Sequence, residues 1–174
     1  MAMSMLREAW FAALIALAAA PLAAQEASAP PMLNTPNAGW NVYGPGQTHK
    51  ARKDGAVQGG SAMRVAIPAK PANAWDVGAS VPIDKAIAKG DKLILAFWVR
   101  SAEGGTLGAA IQQNSAPYAP IVAGRVDVGP EWKLVHIKGI AAADHAAGAA
   151  NVALTLGDQA RTIDLGPAFV MKAE

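Results

Sequence analysis

Apolar residues alternate with polar or small ones along most of the chain beyond Trp40. In the run KLILAFWVRS the apolar residues of one face are Leu93, Leu95, Phe97 and Val99. A period of two over such lengths is the pattern of a β-strand, and Gly and Pro separate the runs. No stretch shows a convincing amphipathic helix. We therefore predict an all-β fold, a sandwich of two antiparallel sheets with about nine or ten strands.

Trp75, in the segment NAWDVGASVPI, has two open interpretations. If the alternation of a strand runs through it, Trp75 shares a face with Val77, Ala79 and Val81. That arrangement favours a core position, because β-branched neighbours prefer a packed face. A bulge at Gly78 would reverse the face and expose the ring as a platform for a ligand.

Three other tryptophans have structural interpretations. Trp132 follows Gly-Pro and begins a strand, which is typical of a core anchor. We expect Trp40 to close the sandwich in the same way. Trp98 lies on the face opposite Phe97, and we expect it to be packed, since central strands often have two apolar faces.

The N-terminus predicts export. Arg7 precedes an apolar run from Trp10 to Ala24, which is 15 residues long and short against the ~20 residues of a membrane span. We predict a signal peptide over residues 1–24, a flexible leader over 25–39 and one folded domain over 40–174, with no membrane span after cleavage. The protein would then be secreted or periplasmic. An uncleaved N-terminal anchor is the alternative.

Charge and composition argue against several classes of function. The net charge is +2, and the densest basic run, His49–Lys53, is followed at once by Asp54. A nucleic-acid-binding protein normally has a larger basic face, so no nucleic-acid partner is expected. The chain has no cysteine, which excludes disulfides, thiolate metal sites and thiol catalysis.

The sequence predicts no enzyme, no cofactor and no metal. The histidines His49, His136 and His145 lack the spacing of a metal site. The segment GPGQTH has no third glycine and no following helix, so it is not a dinucleotide loop. Most carboxylates lie at predicted turns or strand ends, where surface acids are common, and a small sandwich offers little enclosing cleft for catalysis.

Several motifs together resemble the carbohydrate-binding modules of xylanases and glucanases. They are, in chain order, GGSAMRVAI, NAWDVGAS, IAKGDKLILAFWVRS, AAIQQNSAPY, EWKLVHI and LTLGDQARTIDLGPAFVM. The third contains Lys89, Gly90, Phe97 and Arg100 at positions of a signature of that group, and Leu93 stands where an aromatic residue is common. The resemblance covers roughly residues 40–172.

The resemblance implies a galactose-binding-like jelly roll that binds a polysaccharide or oligosaccharide of the β-glucan or xylan type without catalysis. It also implies a separate glycoside hydrolase as a partner. The chain departs from the group at DLGPAFV, where a pair of acidic or amide residues is common, and in its leader, which lacks a glutamate. In that group these positions often help to hold a structural calcium ion, so none is expected here.

Sugar binding uses flat aromatic rings against the apolar faces of pyranose rings, together with amides and acids that bond to hydroxyls. The candidate ligand-binding residues on this basis are Trp75, Asp76, Gln112, Gln113, Asn114, Tyr118, Arg125 and His136. The competing interpretation involves no ligand. Gln112, Gln113 and Asn114 would then be exposed amides at a sheet edge, and His136 would occupy a solvated strand position.

Two other functions stay open at this stage. The first is an envelope structural or protein-interaction domain with the same fold and no sugar affinity, which a hydrophobic exterior patch would favour. The second is a small glycan lyase or hydrolase, which two carboxylates ~5–10 Å apart across a cleft would favour. Aromatic residues clustered on one sheet face would favour carbohydrate binding.

Overall fold

The computed structural model describes residues 30–173, which contain ten strands and one short 3₁₀ helix. The strands are β1 (Asn41–Tyr43), β2 (Thr48–Lys53), β3 (Ser61–Ile67), β4 (Gly78–Ile83), β5 (Lys92–Arg100), β6 (Gly105–Gln113), β7 (Pro120–Val128), β8 (Lys133–Ile140), β9 (Ala150–Thr155) and β10 (Arg161–Ala173). The 3₁₀ helix, Ala74–Asp76, precedes β4. The all-β prediction is confirmed.

The strands form two five-stranded sheets. Sheet I has the order β1-β4-β9-β6-β7, and sheet II has the order β2-β3-β10-β5-β8. Every neighbouring pair is antiparallel. The chain crosses repeatedly between sheets, with β4 in sheet I, β5 in sheet II and β6 again in sheet I. The predicted sandwich of two antiparallel sheets is thereby confirmed.

The core lies between the sheets and follows the alternation of the sequence. In β5 the inward side chains are completely or almost completely buried: Leu93, Leu95, Phe97 and Val99. From sheet I they meet a matching set that includes Leu107, Ile111, Val152 and Leu154. Burial of these apolar side chains is the main source of stability, at about 1.5–3 kcal/mol for each large one.

The expected structural tryptophans occupy different depths. Trp40 is buried, its ring meets Phe97 edge-on at 6.3 Å, and its Nε1 donates to the carbonyl of Gly166 at 2.8 Å. Trp98 is half-buried, and its Nε1 donates to Gln58 at 3.3 Å. Trp132 is also half-buried, and the guanidinium of Arg100 lies 4.7 Å from its ring centroid.

Part of the predicted flexible leader is attached to the sandwich, so the structure differs from that expectation over residues 30–39. Leu33 is buried, and its backbone N–H donates to the carbonyl of Val170 at 2.7 Å. The buried Asn34 side chain donates to the carbonyl of Ala168 and accepts from the N–H of Val170. The Pro- and Asn-rich composition of the segment did not predict this attachment. One buried leucine and one hydrogen-bonded amide are enough to hold the segment against the sandwich.

The predicted signal peptide, residues 1–24, lies outside the described residues. Within residues 30–173 no helix has the length and apolar character needed to cross a membrane.

Candidate functional site

Trp75 does not belong to a strand. It lies in the 3₁₀ helix Ala74–Asp76 and is 70% exposed, whereas Val77, two residues later, is fully buried. Alternation therefore begins only after Trp75, and the parity that favoured a core position does not apply to it. Both the core interpretation and the proposed bulge are replaced by a turn that lifts the ring off the sheet.

Hydrogen bonds hold this turn in place. The Asp76 carboxylate accepts the backbone N–H of Asn73 at 2.8 Å, and the N–H of Asp76 donates to the carbonyl of Asn73 at 3.1 Å. The carbonyl of Ala74 accepts from Gly157, in the turn between β9 and β10, at 3.0 Å. Asp76, a predicted ligand-binding residue, thus caps the turn that carries Trp75.

The outer face of sheet I has a floor of small side chains. The register places Ser80, Ala153 and Ala110 side by side on β4, β9 and β6, and the next outward row contains Gly78, Thr155 and Gly108. Few atoms project from these positions. A groove of about 570 Å³ crosses the sheet here, and Ser80, Ala153 and Thr155 of these two rows line it.

Three aromatic side chains with large exposed surfaces surround this groove. Trp75, Tyr118 and Tyr43 are 70%, 56% and 43% exposed, respectively. Tyr43 lies directly over Gly78, in space that a Cβ at that position would need. Burial raises the pKa of Tyr43, so its hydroxyl is uncharged at neutral pH and can both donate and accept a hydrogen bond.

Amides and hydroxyls complete the lining. Gln112 on β6 and Asn151 on β9 are register partners, and both line the groove together with Asn41, Ser80 and Thr155. Asn151 Oδ1 is buried and has no hydrogen-bond partner among the described residues. Of the described residues that line the groove, none is charged. The lining is thus uncharged and rich in groups that can bond to hydroxyls.

The remaining predicted site residues lie outside this groove. Gln113 has the parity of the core residue Ile111, so it does not share the outward face of Gln112. The Asn114 side chain donates to the carbonyl of Gly148 and so ties two loops together. These two amides were grouped with Gln112 because they are adjacent in sequence, but alternation separates neighbours onto opposite faces.

Arg125 and His136 are also displaced from the groove. Arg125 lies on the edge strand β7, where its guanidinium donates to Thr106 and Asp158 at 2.7 and 2.9 Å. His136 lies on β8 in sheet II, opposite Ala96 and facing outward. Because it belongs to the other sheet, His136 is on the opposite side of the sandwich.

Trp75, Gln112 and Tyr118 are therefore the predicted residues that the structure brings together. Sequence reasoning missed Tyr43 and Asn41, although they flank the apolar Val42 and so could have been placed on one outward face. It also missed Asn151 and Thr155. No sequence signal reveals that β1 and β9 both pair with β4, which is what places these side chains at one site.

Within residues 30–173 no group of three His, Asp or Glu side chains is close enough to hold a metal ion. In the segment DLGPAFV, where related modules commonly carry a pair of acidic or amide residues, the backbone bonds to two side chains. Trp40 donates to the carbonyl of Gly166. Asn34 donates to the carbonyl of Ala168 and accepts from the N–H of Val170.

No protein-family model matches the sequence, and no curated protein matches it. Solved structures do match the fold. The second N-terminal cellulose-binding domain from Cellulomonas fimi β-1,4-glucanase C is 14% identical, with a TM-score of 0.64, over 85% of this chain and 98% of that chain. A structure described as CBM4 is 17% identical, with a TM-score of 0.60, over 77% of this chain and 86% of that chain.

The CBM22-1 xylan-binding domain from Paenibacillus barcinonensis Xyn10C is 14% identical, with a TM-score of 0.59, over 84% of this chain and 97% of that chain. At such identities the likeness establishes a shared fold. The resemblance to carbohydrate-binding modules inferred from sequence motifs is thus confirmed at the level of the fold.

Proposed function

We propose that the groove on sheet I binds a polysaccharide or oligosaccharide chain. The observation that carries this proposal is the set of three exposed rings around an uncharged floor of amides and hydroxyls. Pyranose rings present apolar C–H faces that stack on aromatic side chains. Their hydroxyls both donate and accept, which matches Gln112, Asn151 and Tyr43.

We propose that binding occurs without catalysis. Glycoside hydrolysis generally requires two carboxyl groups flanking the scissile bond. The described residues that line the groove include no Asp or Glu. The nearest acid in sequence to the rings, Asp76, has its carboxylate engaged with Asn73. This composition supports a binding module and gives no support to a lyase or hydrolase.

The finer proposal is a β-glucan or xylan as ligand and a separate glycoside hydrolase as partner. Two of the structural neighbours are described as cellulose-binding and xylan-binding domains. A nucleic acid is disfavoured at this groove, because binding its backbone requires cationic side chains and the described lining has none. The proposed location is the periplasm or the extracellular medium, and a mature N-terminus at Gln25, found by mass spectrometry, would support it.

The test is electrophoresis of the parent and the Trp75→Ala variant in native gels that contain soluble β-glucan, xylan or mannan. Retardation by one glycan is expected in the parent. Loss of one stacked ring should weaken binding by about 1 kcal/mol or more, which is about fivefold. The melting temperature should hardly change, because Trp75 is 70% exposed.

Ile140→Ala is the matched control, since Ile140 is 64% exposed but faces outward from sheet II. It should bind like the parent. Equal retardation of the parent and Trp75→Ala by the same glycan would contradict the placement of the site.

A protein-interaction function is the second candidate, and one observation favours it. An apolar stripe crosses the outer face of sheet II, formed by Ile94, Trp98, Leu134, Ile140, Phe169 and Met171. Such stripes are common where proteins associate. Failure of the parent to bind any glycan in the gels would favour this alternative.

A further inference from the structure

A cluster of charged side chains occupies the outer face of sheet II, next to the Trp98 end of the apolar stripe. The register places Arg64, Asp164 and Arg100 side by side on β3, β10 and β5. Arg64 donates to both Asp164 oxygens at 2.7 and 2.8 Å, and Arg100 donates to Asp164 at 2.9 Å. Arg100 also reaches Asp54 at 2.8 Å, and Arg52 lies 3.6 Å from both acids.

The acids of this cluster are covered and the arginines are not. The side chains of Asp164 and Asp54 are 4% and 8% exposed, whereas those of Arg64, Arg52 and Arg100 are 46%, 34% and 25% exposed. Three cations above two anions leave one positive charge in excess. The accessible surface of this cluster is therefore mostly guanidinium, although Asp164 also lines the cleft with its 4% exposed side chain.

Two of these arginines form the wall of a cleft of about 400 Å³. Arg64 and Arg100 each use Nε and Nη2 on the acids, and Nη1 of each has no hydrogen-bond partner among the described residues. Arg100 is further held against the ring of Trp132. Both groups are thus fixed in place with one N–H-bearing nitrogen unused, which lowers the entropic cost of binding an anion.

The other side of the cleft offers groups suited to hydroxyls. It is formed by Ser101, Ala102 and Glu103 of the loop after β5, with Thr162 of β10. The Glu103 carboxylate accepts from the Ser101 hydroxyl and the Thr162 N–H. The backbone N–H of Glu103 and these two bonds keep its pKa low despite some burial, so it remains an ionised acceptor.

A further arginine, Arg161, lies next to the cleft. Arg161 is 3% exposed, and its Nε has no partner among the described residues. It lines a neighbouring recess of about 350 Å³ that shares Glu103 and Thr162 with the first. Its guanidinium makes long bonds to the carbonyls of Gly104 and Leu156, at 3.3 and 3.5 Å. Positive charge thus extends beyond Glu103.

We propose that this cleft is a second ligand site, which binds a sugar unit bearing a carboxylate. The carboxylate would lie against Arg64 and Arg100, and the sugar hydroxyls would bond to Glu103 and Thr162. This site is on the opposite sheet from the groove and does not depend on the groove binding a glycan. It differs from the groove in selecting a charged unit.

The test is titration of the ¹⁵N-labelled protein with glucuronate, with glucose and inorganic phosphate as comparisons. Glucuronate should give saturable amide shifts at residues 101–104 and 162–164. Glucose lacks the carboxylate and should give much weaker shifts there. Equal binding of glucose and glucuronate, or the absence of saturable shifts at these residues, would overturn the proposal. Phosphate binding as tight as that of glucuronate would also overturn it, since the cleft would then attract anions without recognising a sugar.

Arg64→Gln should weaken glucuronate binding about tenfold, because a charge-assisted hydrogen bond is lost. Lys85→Gln removes the same charge from an exposed loop position and should bind like the parent. If Arg64→Gln does not fold, Arg64→Lys serves instead, since it keeps the charge beside Asp164 but loses the planar fork. Unchanged glucuronate affinity in a folded Arg64 variant would overturn the proposal.

Discussion

The outer faces of the two sheets differ although both arise from the same alternation of residues. On sheet I the central outward positions are glycine, alanine, serine and threonine, and the rings of Tyr43, Trp75 and Tyr118 stand around them. On sheet II many outward positions carry large side chains, which form the apolar stripe and, next to its Trp98 end, the Arg64–Asp164–Arg100 row.

A groove can form on a sheet face where the outward residues have small side chains. On sheet I the small side chains of Ser80 and Ala153 leave space above the strands, and the groove lies there. On sheet II the cleft arises differently. It lies between the loop after β5 and two arginines, Arg64 and Arg100, which are held by the buried carboxylate of Asp164. Size patterning creates the first site and charge pairing creates the second.

The largest expected effect concerns the core that supports both faces. Phe97→Ala should cost about 3–5 kcal/mol of unfolding free energy, because Phe97 is fully buried and its removal leaves a cavity. Phe169→Ala is the matched control, since Phe169 is a half-buried residue on the outer face of the same sheet. It should cost less than about 2 kcal/mol. Chemical denaturation measures both, and equal losses would show that the faces of sheet II are assigned wrongly.

A smaller effect separates the charged face from the groove. Asp164→Asn should cost about 1.5–3 kcal/mol at neutral pH, because hydrogen bonds between charged groups are lost. Glycan binding at the groove should be unaffected, since Asp164 faces outward from the other sheet. Loss of glycan binding in this folded variant would contradict the independence of the two faces.

The same residue gives a pH dependence. Burial opposes ionisation of Asp164, but hydrogen bonds from Arg64 and Arg100 outweigh it and lower the pKa of the carboxyl. The stability this contributes is therefore present above the unfolded-state pKa of about 3.9 and is lost as the pH falls through the folded-state value. Denaturation series from neutral pH downward should show the gap between parent and Asp164→Asn closing below about pH 4. A gap that stays constant in acid would contradict the ionised pair.

The smallest expected effect on stability comes from filling the groove. Ala153→Leu adds bulk to the floor of the groove, which Ala153 lines and where it is only half-buried. Stability should change by less than about 0.5 kcal/mol, whereas glycan binding should weaken about tenfold or more, because the added atoms clash with the ligand. Normal binding by Ala153→Leu would place the ligand elsewhere.

Ala62→Leu is the counterpart on sheet II. Ala62 also faces outward but is 1% exposed, so the larger side chain should overpack and cost about 1–3 kcal/mol. The melting temperatures of the two variants compare an outward position that is open to solvent with an outward position that is covered. Similar melting temperatures would show that the two positions do not differ in packing.

The tryptophans illustrate how far sequence reasoning reached. Alternation correctly predicted that Phe97 faces the core, because β5 is one continuous strand and its alternate residues Leu93, Leu95, Phe97 and Val99 are all buried. Near Trp75 the same rule failed, since a local hydrogen bond between Asp76 and Asn73 forms a turn where alternation was assumed. Such side-chain bonds compete with the strand and leave little trace in a hydrophobicity pattern.

The strand pattern, the buried face of most strands and the resemblance to carbohydrate-binding modules could all be read from the sequence. These depend on local periodicity and on the order of motifs, which are written along the chain. Which strands are neighbours could be seen only in the folded structure. It joined Tyr43, Gln112 and Asn151, from three separate strands, with Trp75 and Tyr118 at one groove, and it removed His136 to the other sheet. The reason is physical: alternation specifies which side chains point outward, but strand pairing between distant segments decides which outward side chains meet.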